Sequence, residues 1–206
     1  MAYVVGVGQG LFAPDKDMTR AEAASVFYNL LLDKNIAITK TFPDVPEDEW
    51  YAKAVNTLAS LGVIKGRPDG RYYPADPVTR AEFVAIAVRF THEILGDRKA
   101  SEFTDVPVAH WAHDVIVTAT GYGWIGGIGN GLFAPDRHII RAEAVTLVNR
   151  LLNRVPDKAF INNHPELIFY SDAPQSYWAY YEITEASNAH LYDRREDGGE
   201  DWTLEW

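Results

Sequence analysis

Apolar residues recur with the period of about 3.6 residues of a helix in several separate stretches of the chain. Two stretches carry matching stripes, Ala23, Val26, Phe27, Leu30 and Leu31 in one and Ala144, Leu147, Val148, Leu151 and Leu152 in the other. A third series, Trp50, Ala54, Leu58 and Leu61, precedes the turn-rich segment 65–71. The pattern predicts an all-α chain of helix-loop-helix units. Two short helices cannot bury such stripes alone, so the units must pack on each other.

The residues that flank these stretches indicate where the helices begin and end. Residues 19–22 and 79–82 both read Thr-Arg-Ala-Glu, which is the pattern of a capping box. Ile140 stands where a third threonine would be, so we expect that helix start to be weaker by about 0.5–2 kcal/mol. Asp44 is a candidate N-cap of a helix, and Gly62 fits the C-terminus of the same helix.

A repeat of about 60 residues organises the chain. Each copy shares an arginine that opens Arg-Ala-Glu, with a glycine and an aromatic residue upstream: Arg20, Arg80 and Arg141; Gly6, Gly66 and Gly127; Phe12, Tyr72 and Phe133. An aspartate and a tryptophan recur further upstream as Asp44 and Trp50, Asp105 and Trp111, and Asp172 and Trp178. The repeat is the strongest signal in the sequence.

The first and last copies are incomplete in a complementary way. We predict full units at 42–95 and 103–155, a second half-unit at 2–34, a first half-unit at 166–190 and a tail of unknown role at 191–206. Residues 33–41, 96–101 and 154–165 are predicted linkers. We expect the helix near Trp178–Ala189 to pack beside the helix near Thr19–Leu32 and so to complete the third unit. The rival hypothesis is that the halves pair between two molecules and give an oligomer.

Composition excludes several classes of function. The net charge of −10 and the absence of a run of Lys or Arg argue against nucleic acid and anionic membrane partners. The chain has no cysteine, which excludes disulfides and cysteine-ligated metals. We find no membrane span and no export signal in the chain as written, and we expect no membrane insertion.

No catalytic constellation or cofactor motif emerges, so we predict a protein that is not an enzyme and that needs no cofactor. His110 and His113 lie three residues apart, but a solvated surface explains them better than a metal site does. An arginine at a helix start beside a glycine loop and a tryptophan suits an acidic sugar, because the helix dipole and the guanidinium both favour an anion. The alternative is structural: the arginine pairs with a carboxylate, the tryptophan is core, and the glycine only makes the turn.

These motifs together resemble the S-layer homology domain, over about residues 2–155 and 169–190. The resemblance implies three units in a pseudo-threefold, three-pronged bundle at the bacterial cell surface. It implies anchoring to the cell wall through a secondary cell-wall polysaccharide that carries ketal-linked pyruvate, bound in grooves between prongs. An alternative is a structural piece of a surface lattice that binds no glycan.

The resemblance also implies the site residues. The carbohydrate-binding positions are Arg20, Arg80, Arg141, Trp50, Trp111, Trp178, Gly6, Gly66, Gly127, Asp44, Asp105 and Asp172. The second loop adds Lys65 and Arg67, whereas the third loop has no basic residue. We therefore expect the groove around Arg80 to be the strongest of the three.

Overall fold

The computed structural model describes residues 2–91 and 102–204, and these form short helices and one small sheet. The elements are α1 (Arg20–Asn29), α2 (Ala52–Ser60), α3 (Arg80–Thr91), α4 (His113–Gly121), α5 (Arg141–Leu151), α6 (Lys158–Asn163), α7 (Tyr180–Ser187), β1 (Leu191–Arg194) and β2 (Glu200–Thr203). The predicted helical repeat fold is confirmed. Within the described ranges, no helix is long and apolar enough to cross a bilayer. The predicted linker at 96–101 and the end of the predicted unit 42–95 lie outside the described residues.

The chain divides into two compact units. The central unit is Asp17–Ile139, and the terminal unit combines Met1–Lys16 with Ile140–Trp206.

In the central unit, helices of successive copies of the repeat pair with each other. Helix α1 packs against α2, and α3 packs against α4. The ring of Phe27 lies 5.3 Å from the rings of both Phe83 and Phe90, centroid to centroid. Leu58 and Phe133 are fully buried in the same unit. The stripe read from the sequence is therefore the contact face of α1.

The terminal unit joins the two ends of the chain. Helix α7 packs against α5, and the Tyr3 N–H donates to the Ala186 carbonyl oxygen at 3.0 Å. These contacts bring the N-terminal segment and the C-terminal helix together in one compact unit, and the division of the chain into complementary half-units stays a prediction. The predicted helix pairing is wrong, because the packing partner of α7 is α5 and not the helix near residues 19–32. Asn149 of α5 fixes this pairing by donating to the Glu182 carbonyl oxygen at 3.0 Å.

The helix starts largely follow the sequence. The Thr19 hydroxyl accepts from the Glu22 N–H at 3.1 Å, and the Glu22 carboxylate accepts from the Thr19 N–H at 2.8 Å. The box at Thr79 has the same two bonds. At Ile140 only the bond from its N–H to the Glu143 carboxylate is made, at 3.3 Å, because isoleucine has no side-chain acceptor.

Asp44 is not an N-cap, and that prediction is wrong. Helix α2 begins at Ala52, and turns occupy the residues from 44 to 51. Its predicted end is confirmed: Gly62 follows the helix with a φ of +76°, a value that glycine adopts without strain.

The C-terminal region carries structure that the sequence did not predict. The predicted linker at 154–165 contains α6, whose N-cap Asp157 accepts from the Phe160 N–H at 2.9 Å. The tail forms an antiparallel hairpin of β1 and β2. Trp202 in this hairpin packs against Ile161 and Leu167 and is 5% exposed.

Candidate functional site

The arginines of the repeated motif are buried and hydrogen-bond to the glycine loops, and we call them braces for this reason. Arg20 donates from Nε to the Tyr72 carbonyl oxygen at 2.8 Å and from Nη2 to the Lys65 carbonyl oxygen at 2.9 Å. Its Nη1 lies 3.2 Å from Oε1 of Glu82, and its guanidinium lies 4.6 Å above the centre of the Tyr72 ring. Every nitrogen of this guanidinium therefore has a partner inside the protein.

The other two copies repeat this arrangement within their own units. Arg80 donates to the carbonyl oxygens of Phe133 and Gly126, at 2.9 and 3.1 Å. Arg141 donates to the carbonyl oxygens of Phe12 and Val5, both at 2.9 Å. Each arginine thus holds the loop of a different copy of the repeat.

The helix N-termini are not open to an anion, contrary to the sequence-based argument. The N–H groups of Arg20 and Ala21 donate to the carbonyl oxygens of Asp76 and Pro74, both at 2.9 Å. The next N–H, that of Glu22, is taken by the Thr19 hydroxyl. These N–H donors of the first turn of α1 are therefore already bonded to groups of the protein. The positive end of the helix faces a loop.

The repeated aspartates clamp the same loops. Asp44 accepts from the N–H groups of Tyr72 and Tyr73, at 2.9 and 2.7 Å. Tyr73 has a φ of +59°, which is costly for a residue with a side chain, and the clamp offsets that cost.

Asp105 and Asp172 make the same pair of bonds, to Phe133 and Ala134 and to Phe12 and Ala13. Burial raises the pKa of the Asp105 carboxyl, but the backbone N–H groups of Phe133 and Ala134 outweigh this and hold the pKa below its usual value.

The repeated glycines make room for aromatic rings. A Cβ on Gly127 would lie 2.6 Å from the Leu132 carbonyl oxygen and 2.8 Å from Cε1 of Phe103. Gly66 and Gly6 are blocked in the same way, by Phe42 and Tyr170. These glycines therefore serve packing, whatever they also contribute to a ligand site.

We expect Gly127→Ala to lower the free energy of unfolding by about 1–3 kcal/mol, because overpacking must push the Phe103 ring or the loop aside. Gly126→Ala is the matched control, since a Cβ there meets nothing within 4 Å. Urea unfolding of both variants measures the difference. Equal midpoints for the two would contradict the packing role.

The repeated tryptophans are not core residues. Trp50, Trp111 and Trp178 are 65%, 60% and 58% exposed. Each lies two residues before a helix, in a turn, rather than within the helix as the sequence pattern indicated. Exposed indoles held at equivalent points of a repeat are suited to contact with a ligand.

A cleft of about 710 Å³ lies within the central unit. Its lining includes Arg20, Lys65, Gly66, Arg67, Arg89 and Trp111. We call it the Arg20 cleft. The basic loop that carries Lys65 and Arg67 is bound by Arg20 and not by Arg80, because the arginine of one copy braces the loop of the next. Which groove binds most strongly stays a prediction.

A second, smaller hollow of about 330 Å³ lies beside Gly127. Its lining is completed by Glu102, Phe103, Gly129, Gly131 and Leu132. None of these lining residues has a basic side chain.

Arg89 is a residue of the Arg20 cleft that the sequence did not single out. It lies in the last turn of α3, is half-buried, and has its pKa lowered by desolvation. No pattern in the sequence marks Arg89, because its place in the cleft depends on how α3 and the loop of residues 65–71 pack together.

A buried cluster in the terminal unit also escaped sequence reasoning. Glu185, His190 and Glu200 bring ligand-type atoms within 4.8 Å of one another. Arg154 lies 2.6 Å from the Glu185 carboxylate and 3.3 Å from that of Glu200, so a guanidinium already supplies the positive charge there. His113 corrects another expectation, since it is buried and bonds to Asp114 rather than facing solvent.

Comparison with known proteins gives a consistent result. The sequence profile of the S-layer homology domain matches residues 2–24, 41–84 and 102–145. The chain is 36% identical over 208 residues to a cellulosome-anchoring protein of Acetivibrio thermocellus, covering 96% of this chain and 44% of that protein. It is 34% identical over 203 residues to cell surface glycoprotein 1 of the same organism, covering 93% of this chain and 8% of that protein.

A third relative is an amylopullulanase of Thermoanaerobacterium thermosulfurigenes, 34% identical over 158 residues, covering 73% of this chain and 8% of the enzyme. The chain therefore spans less than half the length of each of these relatives.

Proposed function

Because this chain belongs to the S-layer homology domain family, we propose that it is a non-catalytic module that anchors a surface protein to the bacterial cell wall. Its relatives include an anchoring protein and a cell surface glycoprotein, and both are matched over most of this chain. The match to an enzyme covers a small part of that enzyme, which agrees with a module that carries no catalytic groups of its own.

We propose that the ligand is an acidic cell-wall glycan, namely a secondary cell-wall polysaccharide that carries ketal-linked pyruvate. The observation that carries the proposal is the Arg20 cleft, which collects cations beside an exposed indole in a chain whose net charge is −10. A volume of about 710 Å³ lies within the range of small-molecule sites, and an aromatic face suits the apolar side of a sugar ring.

Within the proposal, the cleft is lined by Trp111, Lys65, Gly66 and Arg67, and Arg20 holds the loop through its bonds to the Tyr72 and Lys65 carbonyl oxygens. Binding roles for the other repeated tryptophans, glycines and aspartates, and for Arg80 and Arg141, stay predictions. The division into units at 2–34, 42–95, 103–155 and 166–190 is likewise proposed.

Sedimentation with purified cell walls tests the function. We expect the chain to pellet with walls that carry the pyruvylated polymer and to stay in solution when mild acid has removed the pyruvate. Trp111→Ala should weaken pelleting, whereas Tyr122→Ala, which removes an aromatic of similar exposure outside the cleft, should not. Equal pelleting with both wall preparations would contradict the proposed ligand.

The alternative of a lattice piece that binds no glycan predicts oligomers in the absence of polysaccharide. The sequence feature that favours this alternative is the pair of tryptophans near the end of the chain, Trp202 and Trp206. Trp202 is now placed inside the terminal unit, where it stacks on His190 with 3.6 Å between ring centroids. This removes part of its support.

A further inference from the structure

Four basic side chains line the Arg20 cleft, but they differ in whether carboxylates and carbonyl oxygens of the protein already pair with them. Arg20 donates to two carbonyl oxygens and pairs with Glu82, the carboxylate in the lining. A ligand that bound the Arg20 guanidinium would have to displace these bonds. The motif arginine is therefore a brace, and the anion must be recognised by other groups.

Arg67 is also partly committed. Its Nη2 lies 2.6 Å from Oδ2 of Asp76, and its guanidinium lies 4.5 Å above the centre of the Tyr73 ring. Because the Asp76 carboxylate already neutralises its charge, Arg67 forms part of the rim of the cleft but attracts an anionic ligand only weakly.

Lys65 and Arg89 differ from both. Among the residues that the structure describes, neither side chain has a hydrogen-bond or ion-pair partner. Arg89 is half-buried, and a guanidinium that has lost part of its water without gaining a counter-ion is held at a cost that an incoming anion would offset. Lys65 is exposed, but its backbone is fixed because its carbonyl oxygen accepts from Arg20.

We infer that Lys65 and Arg89, and not the motif arginine, bind the acidic group of the ligand in the Arg20 cleft. This inference rests on the proposed function and specifies its chemistry. The planar guanidinium of Arg89 can take a carboxylate with two parallel N–H bonds, and the Lys65 ammonium adds a point charge at the rim. Trp111 then faces the uncharged part of the sugar.

The pair of charges occurs once in the repeat. The positions equivalent to Lys65 are Val5 and Gly126, which carry no charge, and those equivalent to Arg89 are Asn29 and Arg150. Of the three copies of the repeat, the second therefore carries both cations, and we expect one acidic sugar to bind per molecule in a charge-dependent manner.

Isothermal titration calorimetry on the full chain tests this inference. The probes are a methyl glycoside that carries a pyruvate ketal and the same glycoside without it. We expect the acidic glycoside to bind at one site, and Lys65→Gln and Arg89→Gln each to weaken it by about 10- to 100-fold, the usual effect of losing a charge-assisted bond. Affinity for the neutral glycoside should not change in these variants.

Arg150→Gln is the matched control, because it removes an exposed arginine at the equivalent place on α5 and should bind like the unmodified chain. Circular dichroism confirms that each variant is folded. If the unmodified chain prefers the acidic glycoside and both cleft variants bind it equally well, the inference is overturned while the proposed function stands. If the unmodified chain shows no preference for the acidic glycoside, the proposed ligand fails and the inference fails with it. Three equivalent charge-dependent sites would refute the single cleft.

Discussion

A chain shortened to residues 1–165 should lose most of the stability of its terminal unit. The deletion removes α7, which packs against α5, and removes the Asp172 clamp on Phe12 and Ala13. It also removes buried Ile183 and Trp202, and each large apolar side chain of this kind contributes about 1.5–3 kcal/mol. Losing several kcal/mol from a domain stability of about 5–15 kcal/mol should unfold the unit.

Urea unfolding monitored by circular dichroism measures this loss, with a chain of residues 1–204 as the control that keeps all the described contacts. The shortened chain should show a smaller unfolding amplitude and should bind a dye that reports exposed apolar surface. A peptide of residues 166–206, added in trans, should restore part of the signal. An unchanged midpoint in the shortened chain would refute the closure of the terminal unit by its two ends.

Arg20→Met should lower the free energy of unfolding by about 3–5 kcal/mol. The substitution keeps much of the apolar stem but leaves the carbonyl oxygens of Tyr72 and Lys65 without their donor, and it removes the partner of Glu82. The loop of residues 65–71 should loosen first, because Arg20 is bonded to its beginning and to the residue that follows it. Thermal and urea unfolding measure the effect.

Arg71→Met is the control, since Arg71 lies on the same loop with an exposed side chain. It should change stability by no more than about 0.5 kcal/mol. Arg20→Lys should fall between the two, because an ammonium cannot reproduce the fixed directions of the guanidinium donors. If Arg20→Met were as stable as the parent and lost only glycan binding, the motif arginine would be a ligand residue and not a brace.

The features that the sequence predicted well are local ones. The capping boxes at Thr19 and Thr79 involve residues three positions apart, and Gly62 ends α2 through its own backbone conformation. The stripe on α1 follows from helical period alone. Such features need no knowledge of distant contacts, so a single sequence suffices to infer them.

The features that the sequence missed depend on partners far along the chain. Asp44 resembles an N-cap from its neighbours, but its carboxylate is taken by Tyr72 and Tyr73. Arg20 lies at a helix start that favours an anion in isolation, yet its own N–H and its guanidinium are both directed at the next loop. The Arg89 side chain could be placed in a cleft only once α3 and the loop were positioned together.

The C-terminal region shows a different limit. Helix α6 has six residues, too few for its period to be recognised, and the hairpin strands have four residues each. Their stability comes from a small cluster around Trp202, Ile161 and Leu167 rather than from propensity. The repeat pattern does not predict this cluster, because the cluster lies outside the repeated motifs.

The joining of the two ends has a consequence for biosynthesis. The bond between Phe12 and Asp172 links residues 160 positions apart, so a segment that is synthesised early must wait for one that is synthesised much later. The stretch from residue 17 to residue 139 has its own partners and can condense while translation continues. Until α7 emerges, Tyr3, Val4 and Phe12 remain uncovered and open to capture by chaperones. Slow translation between residues 139 and 187 should lengthen that exposed interval.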